Sequence, residues 1–526
     1  MNLPRVSRFR SCVLVALLAV ALPSWSAKKM DPRPRVIITA DPELDDNNSL
    51  IRFLLYSSDV RVEGLVYTSS QFHWSGDGKG TKFMVPGREY TRYGLNLCPC
   101  ESYRWKKGER FIHDAVDQYE KVYANLKAHN PDYPDPTFLR SKIRYGNIEF
   151  EGDMSKDTEG SDLIKSVILD EVPGTLFITA WGGQSSIGRA LKSIEEQYSG
   201  KAEWTAIRKK IIGKVVLLPS GDQDGVHENY LAKSWPDMDY RQFRNGPNYS
   251  YGAQLVANAG NAPLLTPEWM KEHVTSKGPL GSIYRVWGDG KQMVEGDRFD
   301  YFGIPGKTNE ELKQMGYIVW MPVQPQGAWL GEGDNPTFMN LLANGLNAFD
   351  PNFPGGWGGR PFYPDMKAYR DPFSNTDPSA PGLVISESTL KERAGEAAPF
   401  PDFFGAAQRD FAARLEWSVN PDTKTTNHPP VIRVNGKKEI QSQPGGTVRL
   451  KAAVSDPDND SVDLRWWQFK RSANEPALDI VQTGTAAASV TLPATSRKGQ
   501  EFFVVLEAID KAGLSLTRYA VFRIKL

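Results

Sequence analysis

Apolar runs that stop at a polar turn and are followed by helical spacing recur through the first four hundred residues. "RVIITA" (35–40) leads into "NNSLIRFLLYSS" (47–58), and "VRVEGLVYTSS" (60–70) reads as a second strand. Further on, "GTLFITAWGG" leads into "SSIGRALKSIEEQY", and "KKIIGKVVLLPSGDQDG" is another apolar strand with a polar loop behind it. "RFIHDAVDQYEKVYANLKAHN" carries the 3.6-residue period of a long helix. Strand-then-helix alternation of this kind predicts an α/β domain with a mostly parallel sheet and flanking helices, in which ligands gather at the carboxyl ends of the strands.

The pattern changes after the helix-like "FFGAAQRDFAARLEWSV". "NPDTKTTNHPPV", polar and with three prolines, reads as a linker over 419–430. From Val431 to the end, short alternating runs ("TVRLKAAVS", "VDLRWWQFK", "SVTLPA", "EFFVVLEAID", "YAVFRIKL") are separated by turn signals. They predict an all-β, immunoglobulin-like sandwich over 431–526 behind an α/β domain over 33–418.

Composition narrows the class. With 526 residues, 40% hydrophobic and 24% charged, the chain has material for two or three full cores. Arg5, Arg8 and Arg10 precede an apolar run from Cys12 to Leu22, closed by Pro23, Ser24 and Ser26. That order reads as a secretory signal cut after Ser26, giving an exported, periplasmic or secreted protein that is not held in a membrane once the signal is removed. Basic and acidic residues both total 63, so loss of the three signal arginines leaves a net charge of about −3. No basic patch marks a nucleic-acid binder. Cys98 and Cys100, in "LCPCES", are left either as a local bridge or as two free or capped thiols.

The chemistry concentrates in "DPELDD", directly behind the first strand. Asp41, Asp45 and Asp46 crowd one turn, where like charges raise one another's pKa unless something compensates. A helix start absorbs one carboxylate as a cap and a second through its dipole, but not readily three. A hard dication with oxygen ligands, Ca²⁺ or Mg²⁺, is one partner that would answer the crowding, and a solvated helix cap is the other reading.

"ITADPELDD" resembles the aspartate signature of the nucleoside hydrolases, D-x-D-P-G-x-D-D, with Thr39 at the first aspartate and Glu43 at the glycine. "FITAWGGQSSIGRAL" and "GEGDNPTF" are similar to two later segments of that family, in the same order. The resemblance implies a calcium cofactor held by Asp41, Asp46, Asp334 and the backbone carbonyl of Trp181. It also implies Asp41 as the base that takes a proton from water, Asp45 as a holder of sugar hydroxyls, and Gln71 at the place of a substrate-binding asparagine. The activity implied is hydrolysis of N- or O-glycosidic bonds of a sugar or nucleoside. "GPLGSIYRVWGDG", "EGDNPTF" and "SDPDNDSVDLRWWQ" are closer still to an exported bacterial group described as nucleoside hydrolase-like and cellulose-binding, which implies a polysaccharide partner and a non-catalytic binding alternative.

Where the family often has a leaving-group histidine, this chain has Gly333. His73, Asp222, Asp224 and His227 are candidate replacements, with Asp222 and Asp224 placed on the substrate side, though each also reads as a loop or cap residue. Trp74, Trp181, Trp329 and Trp357 read either as a sugar platform or as buried aromatics. "SGDGKGTK" lacks the order of a phosphate loop. In "SDPDND", Asp456, Asp458 and Asp460 alternate as in a calcium loop, but Ser461 and Trp467 stand where an EF-hand needs glycine and glutamate, so a polar turn is expected.

Overall fold

A computed structural model describes Met1 and residues 31–91, 95–244, 247–363 and 400–526. Apart from Met1, the expected signal segment, residues 1–26, lies outside the described residues. Six strands, β1 (Arg35–Ala40), β2 (Arg61–Tyr67), β3 (Ile143–Tyr145), β4 (Leu176–Ala180), β5 (Val215–Pro219) and β6 (Asp239–Tyr240), form a sheet in the order β3-β2-β1-β4-β5-β6. Every neighbouring pair is parallel.

Helices cover both faces, which is why β1 and β4 are buried at every position and mostly apolar rather than alternating. Val36, Ile38 and Ala40 pack with Leu50, Phe53 and Leu54 of helix α1 (Leu44–Leu55). Ile37 faces the other way, onto Ile164, Ile187 and Leu191. The strand order reverses between β1 and β4, and the carboxyl ends of the central strands are stitched together there. Trp181 N donates to Thr39 O at 2.9 Å, Thr68 N to Ala40 O at 2.9 Å and Ser220 N to Ala180 O at 2.7 Å. Such a reversal opens a crevice between the two halves of the sheet.

Helix α1 begins earlier than the apolar periodicity of "NNSLIRFLL" suggests, and takes Asp45 and Asp46 into its first turn. Unpaired N–H groups and the helix dipole favour negative charge at that end. The same helix holds the late "GEGDNPTF" segment. Arg52, fully buried, forms an ion pair with Glu332 and lies 3.9 Å from the Phe411 ring centre. Glu332 also accepts from Tyr284 Oη at 2.5 Å and from Asn335 Nδ2.

The last hundred residues form two four-stranded sheets. One contains Val431–Val434, Thr447–Ser455, Asp479–Gly484 and Ala487–Thr491; the other contains Glu439–Gln441, Val462–Gln468, Glu501–Asp510 and Thr517–Lys525. Strand Glu501–Asp510 is buried on both sides. Phe502, Val504 and Leu506 point into the sandwich, while Phe503 and Val505 join the core of the α/β part with Phe353, Trp357 and Tyr519. Arg33–Leu526 therefore forms one compact unit. Residues 419–430, expected as a linker, lie against it: Trp417 Nε1 donates to Asn427 O at 3.0 Å, and His428 stacks on the Trp417 ring. Cys98 and Cys100 form a disulfide. No helix among the described residues is long and apolar enough to cross a membrane.

Candidate metal centre and sugar-sized cavity

The reversal point between β1 and β4 opens into a cavity of about 170 Å³. Its floor is acidic: Glu43, Asp45 and Asp46 come from the start of α1 and Asp334 from the start of helix Asn335–Met339. Its walls are aromatic, with Phe72, Tyr251, Phe299, Phe302 and Trp320. Glu89 and Asp300 add two more carboxylates, while Arg104 is the one guanidinium among the lining residues. Arg104 is already matched by Asp297, 2.7 Å away, and by Glu89 at 3.8 Å.

Asp41 lies beneath this floor, with no exposure to solvent. Its Oδ1 accepts from Glu43 N at 3.2 Å, and its own N–H donates to Asp46 Oδ1 at 3.0 Å. Oδ2 has no hydrogen-bond partner. Burial pushes the Asp41 carboxyl up to about 7, against hydrogen bonds from Ser70 and the Glu43 amide that pull it down. Asp45 is held by Tyr251 Oη at 3.2 Å and Gly333 N at 3.1 Å, and burial pushes it up to about 6. Asp46, Glu43 and Asp334 are all raised, first by burial and then by the carboxylates around them. Ligand atoms of Glu43, Asp45 and Asp46 lie within 4.8 Å of one another, as do those of Asp41, Glu43 and His73.

This donor set fits a dication. Crowded carboxylates in a dry site are unstable as anions unless a cation or protons neutralise them, and the unpartnered Asp41 Oδ2 is an acceptor awaiting either. Trp181 reaches the same cavity, but its carbonyl already accepts from Gln223 Nε2 at 2.6 Å, so as a ligand it would use its second lone pair.

Other residues singled out from sequence fall elsewhere. Thr39 is buried in β1 and donates to Thr179 O at 3.1 Å. Gln71 is buried, with its N–H on Gln223 O, and it is Phe72 and Gln223 that line the cavity. Asp222 accepts from the amides of His227 and Glu228 at 3.2 and 3.0 Å, and Asp224 from those of Ser185 and Val226 at 2.9 and 3.3 Å. Both are turned to helix starts rather than to the cavity. His227 packs on Tyr240. Trp74, Trp329 and Trp357 are core residues, and only Trp181 of those four lines the cavity.

Gly333 has a geometric reason. A Cβ there would lie 2.2 Å from Asp45 Oδ2, so a histidine and the observed Asp45 position exclude each other. The residues missed from sequence, Arg104, Tyr251, Phe302 and Trp320, arrive on loops distant from the aspartate motif and carry no motif of their own.

Residues 35–361 match the family model described as "Cellulose-binding Sde182, nucleoside hydrolase-like domain". The chain belongs to this family. Residues 447–525 match a second model, "Cellulose-binding protein Sde0182, C-terminal domain". A solved structure of a nucleoside hydrolase-related hypothetical protein from Saccharophagus degradans, described as associated with carbohydrate metabolism, shares the fold. It overlays with a TM-score of 0.63 at 21% identity, covering 94% of this chain and 99% of that one. An endo-beta-1,4-mannanase from Thermotoga petrophila reaches a TM-score of 0.13 at 9% identity, over 93% of this chain and 78% of that one, and carries no inference. No curated protein matches. Like the family, the chain joins a nucleoside hydrolase-like domain to an all-β C-terminal part.

Proposed function

We propose that the protein is an exported, metal-dependent hydrolase of a glycosidic bond to a single ribosyl or glycosyl unit. The observation that carries this reading is Asp41: a fully buried carboxylate with an unpartnered oxygen, at the reversal point of a parallel sheet, beneath an aromatic-walled cavity. Asp41, Asp46 and Asp334, with the Trp181 carbonyl, would hold the cation, and an all-oxygen set of this kind suits calcium. When bound, the cation supplies Lewis-acid polarisation and the positive charge that lets these carboxylates ionise together.

The chain's own groups then divide the work. Asp41, whose second carboxylate oxygen has no partner within the protein, would accept the proton of the attacking water. Asp45, fixed from two sides by Tyr251 and Gly333 N–H, accepts hydrogen bonds from sugar hydroxyls. Phe72, Phe299, Phe302 and Trp320 exclude bulk water and offer faces to a sugar ring. A cavity of about 170 Å³ is below the roughly 300–1,000 Å³ of drug-sized pockets, which favours one ring over a glucan chain.

Non-catalytic carbohydrate binding is the second reading, and Gly333 favours it because that backbone cannot protonate a leaving group. The sandwich offers it less support. Among its described residues the exposed large hydrophobics are Val431 and Val481, with no exposed aromatic ring to stack on cellulose. The deciding assay compares nitrophenyl ribosides and glucosides with inosine and uridine, with calcium and after chelation. Calcium-dependent release, far faster from nitrophenyl leaving groups, is the expected result. Sugar binding without turnover on any substrate selects the binding reading.

A further inference from the structure

His73 groups with Asp41 and Glu43, apart from the second cluster of Glu43, Asp45 and Asp46. It is fully buried in the loop after β2, where Ser70 N donates to His73 O at 2.9 Å and Trp74 pairs with Tyr103 through two backbone hydrogen bonds. Its Nδ1 lies 2.7 Å from the backbone oxygen of Arg104. A carbonyl oxygen only accepts, so Nδ1 carries the ring proton and Nε2 presents a lone pair. That Nε2 is buried and has no hydrogen-bond partner. A ring nitrogen of His73 and carboxylate oxygens of Asp41 and Glu43 lie within 4.8 Å of one another, and Nε2 is the nitrogen left without a partner.

Three electron-rich atoms, one nitrogen and two oxygens, do not share a dry pocket without something between them. The charge of Arg104 favours the ionised forms of Asp41 and Glu43, yet burial keeps both raised, and its guanidinium is already paired with Asp297 and Glu89. A ring with one nitrogen pinned to a carbonyl and the other buried without a partner, next to carboxylates, is the usual arrangement of a ligating histidine. Two carboxylates and a neutral imidazole also balance a charge of two.

We propose that Asp41, Glu43 and His73 form a mixed nitrogen and oxygen site for a borderline dication, manganese or zinc, adjoining the oxygen-only set and sharing Asp41 with it. Calcium takes oxygen ligands almost exclusively, whereas imidazole favours the transition metals, so the nitrogen decides the preference. The inference deepens the metal-dependent reading above and rests on it through Asp41. It also gives Glu43, at the motif's usual glycine position, a purpose: it supplies the second carboxylate from the start of α1.

The test uses the full chain, stripped with chelator and loaded with Mn²⁺, in a His428→Gln background. That substitution removes the imidazole beside Asp458, so the exposed acidic turn cannot supply a nitrogen. Pulsed paramagnetic resonance should show a directly bound nitrogen whose coupling changes on ¹⁵N-histidine labelling. His73→Leu should remove that coupling and weaken Mn²⁺ by at least about tenfold. Should His73→Leu not fold, Glu43→Gln, at a half-buried position, should weaken Mn²⁺ while leaving the coupling in place. Bound Mn²⁺ without nitrogen coupling, or calcium binding with no Mn²⁺ uptake, overturns this inference and leaves the proposed function standing. Failure to bind any dication overturns both.

Discussion

Two acidic clusters in this chain have nearly the same spelling and different burial. In the sandwich, Asp456 Oδ1 accepts from the amides of Asp458 and Asp460 at 2.9 and 3.1 Å, and Asp458 accepts from His428 N at 2.6 Å. Those residues are partly exposed, although Asp456 Oδ2 is itself buried and without a hydrogen-bond partner. At the end of β1, Asp41 and Asp46 are buried and the amides nearby do not suffice: Asp41 Oδ2 is left over and Asp46 faces Asp334. Spacing of carboxylates is thus a poor guide to a metal centre. What separates the two is how completely the fold shuts the whole group away from water.

The largest expected difference between the clusters is in catalysis. Asp41→Asn should lower turnover of a nitrophenyl riboside by about 10²- to 10⁴-fold with little change in sugar affinity. Asp456→Asn should leave turnover unchanged, and equal losses in both variants would remove the distinction.

Next comes stability. Truncating Arg52 to Ala leaves Glu332 buried without its cation and should cost about 3–5 kcal/mol in urea unfolding. Arg465→Ala, at a largely exposed arginine paired with Glu507 in the sandwich, should cost at most about 1 kcal/mol.

The third difference is in pH response. Asp41 and Asp45 have folded pKa values of about 7 and about 6, above their unfolded ones, so the metal-free folded state holds protons that the unfolded chain has released. Their stabilising contribution is complete below about pH 4 and is lost as pH rises through 6 and 7, at about 1.4 kcal/mol per pKa unit of displacement. Thermal unfolding of the chelated protein should therefore show Tm falling across that window. Added dication should raise Tm more at pH 8 than at pH 5, and a metal effect that does not vary with pH would contradict the buried crowding.

The smallest effects are backbone ones. Gly333→Ala pushes a methyl into Asp45 and should cost about 1–3 kcal/mol together with weakened sugar binding. Asn459→Gly, at a left-handed position with φ 65° in the exposed turn, should stay within about 0.5 kcal/mol.

Much of this was legible along the chain, for identifiable reasons. The parallel sheet announces itself because strands covered on both faces are mostly apolar without alternation, as in "RVIITA" and "LFITA". The aspartate motif is readable because one strand end and one helix start are contiguous in sequence. The cavity walls are not, since Arg104, Tyr251 and Trp320 meet Asp45 only through tertiary packing. Asp222 and Asp224 show the converse difficulty: a Gly-Asp-Gln-Asp-Gly loop spells a ligand site and a pair of helix caps identically, and here both carboxylates are spent on amides. "EFFVVLEAID" carried an unread message, because a strand without polar alternation in a sandwich has a second neighbour.

That second neighbour changes what the C-terminal part can be. Phe503, Val505 and Tyr519 are mortared into the α/β core, and Arg518 is bonded to Asp410 at 2.6 Å. A module on a flexible tether can roam a surface and be exchanged for another with little penalty. This one is a buttress: exchanging it would strip apolar surface from the α/β core, so inheritance should keep the two parts together, and any surface the sandwich grips would meet the cavity at one fixed angle.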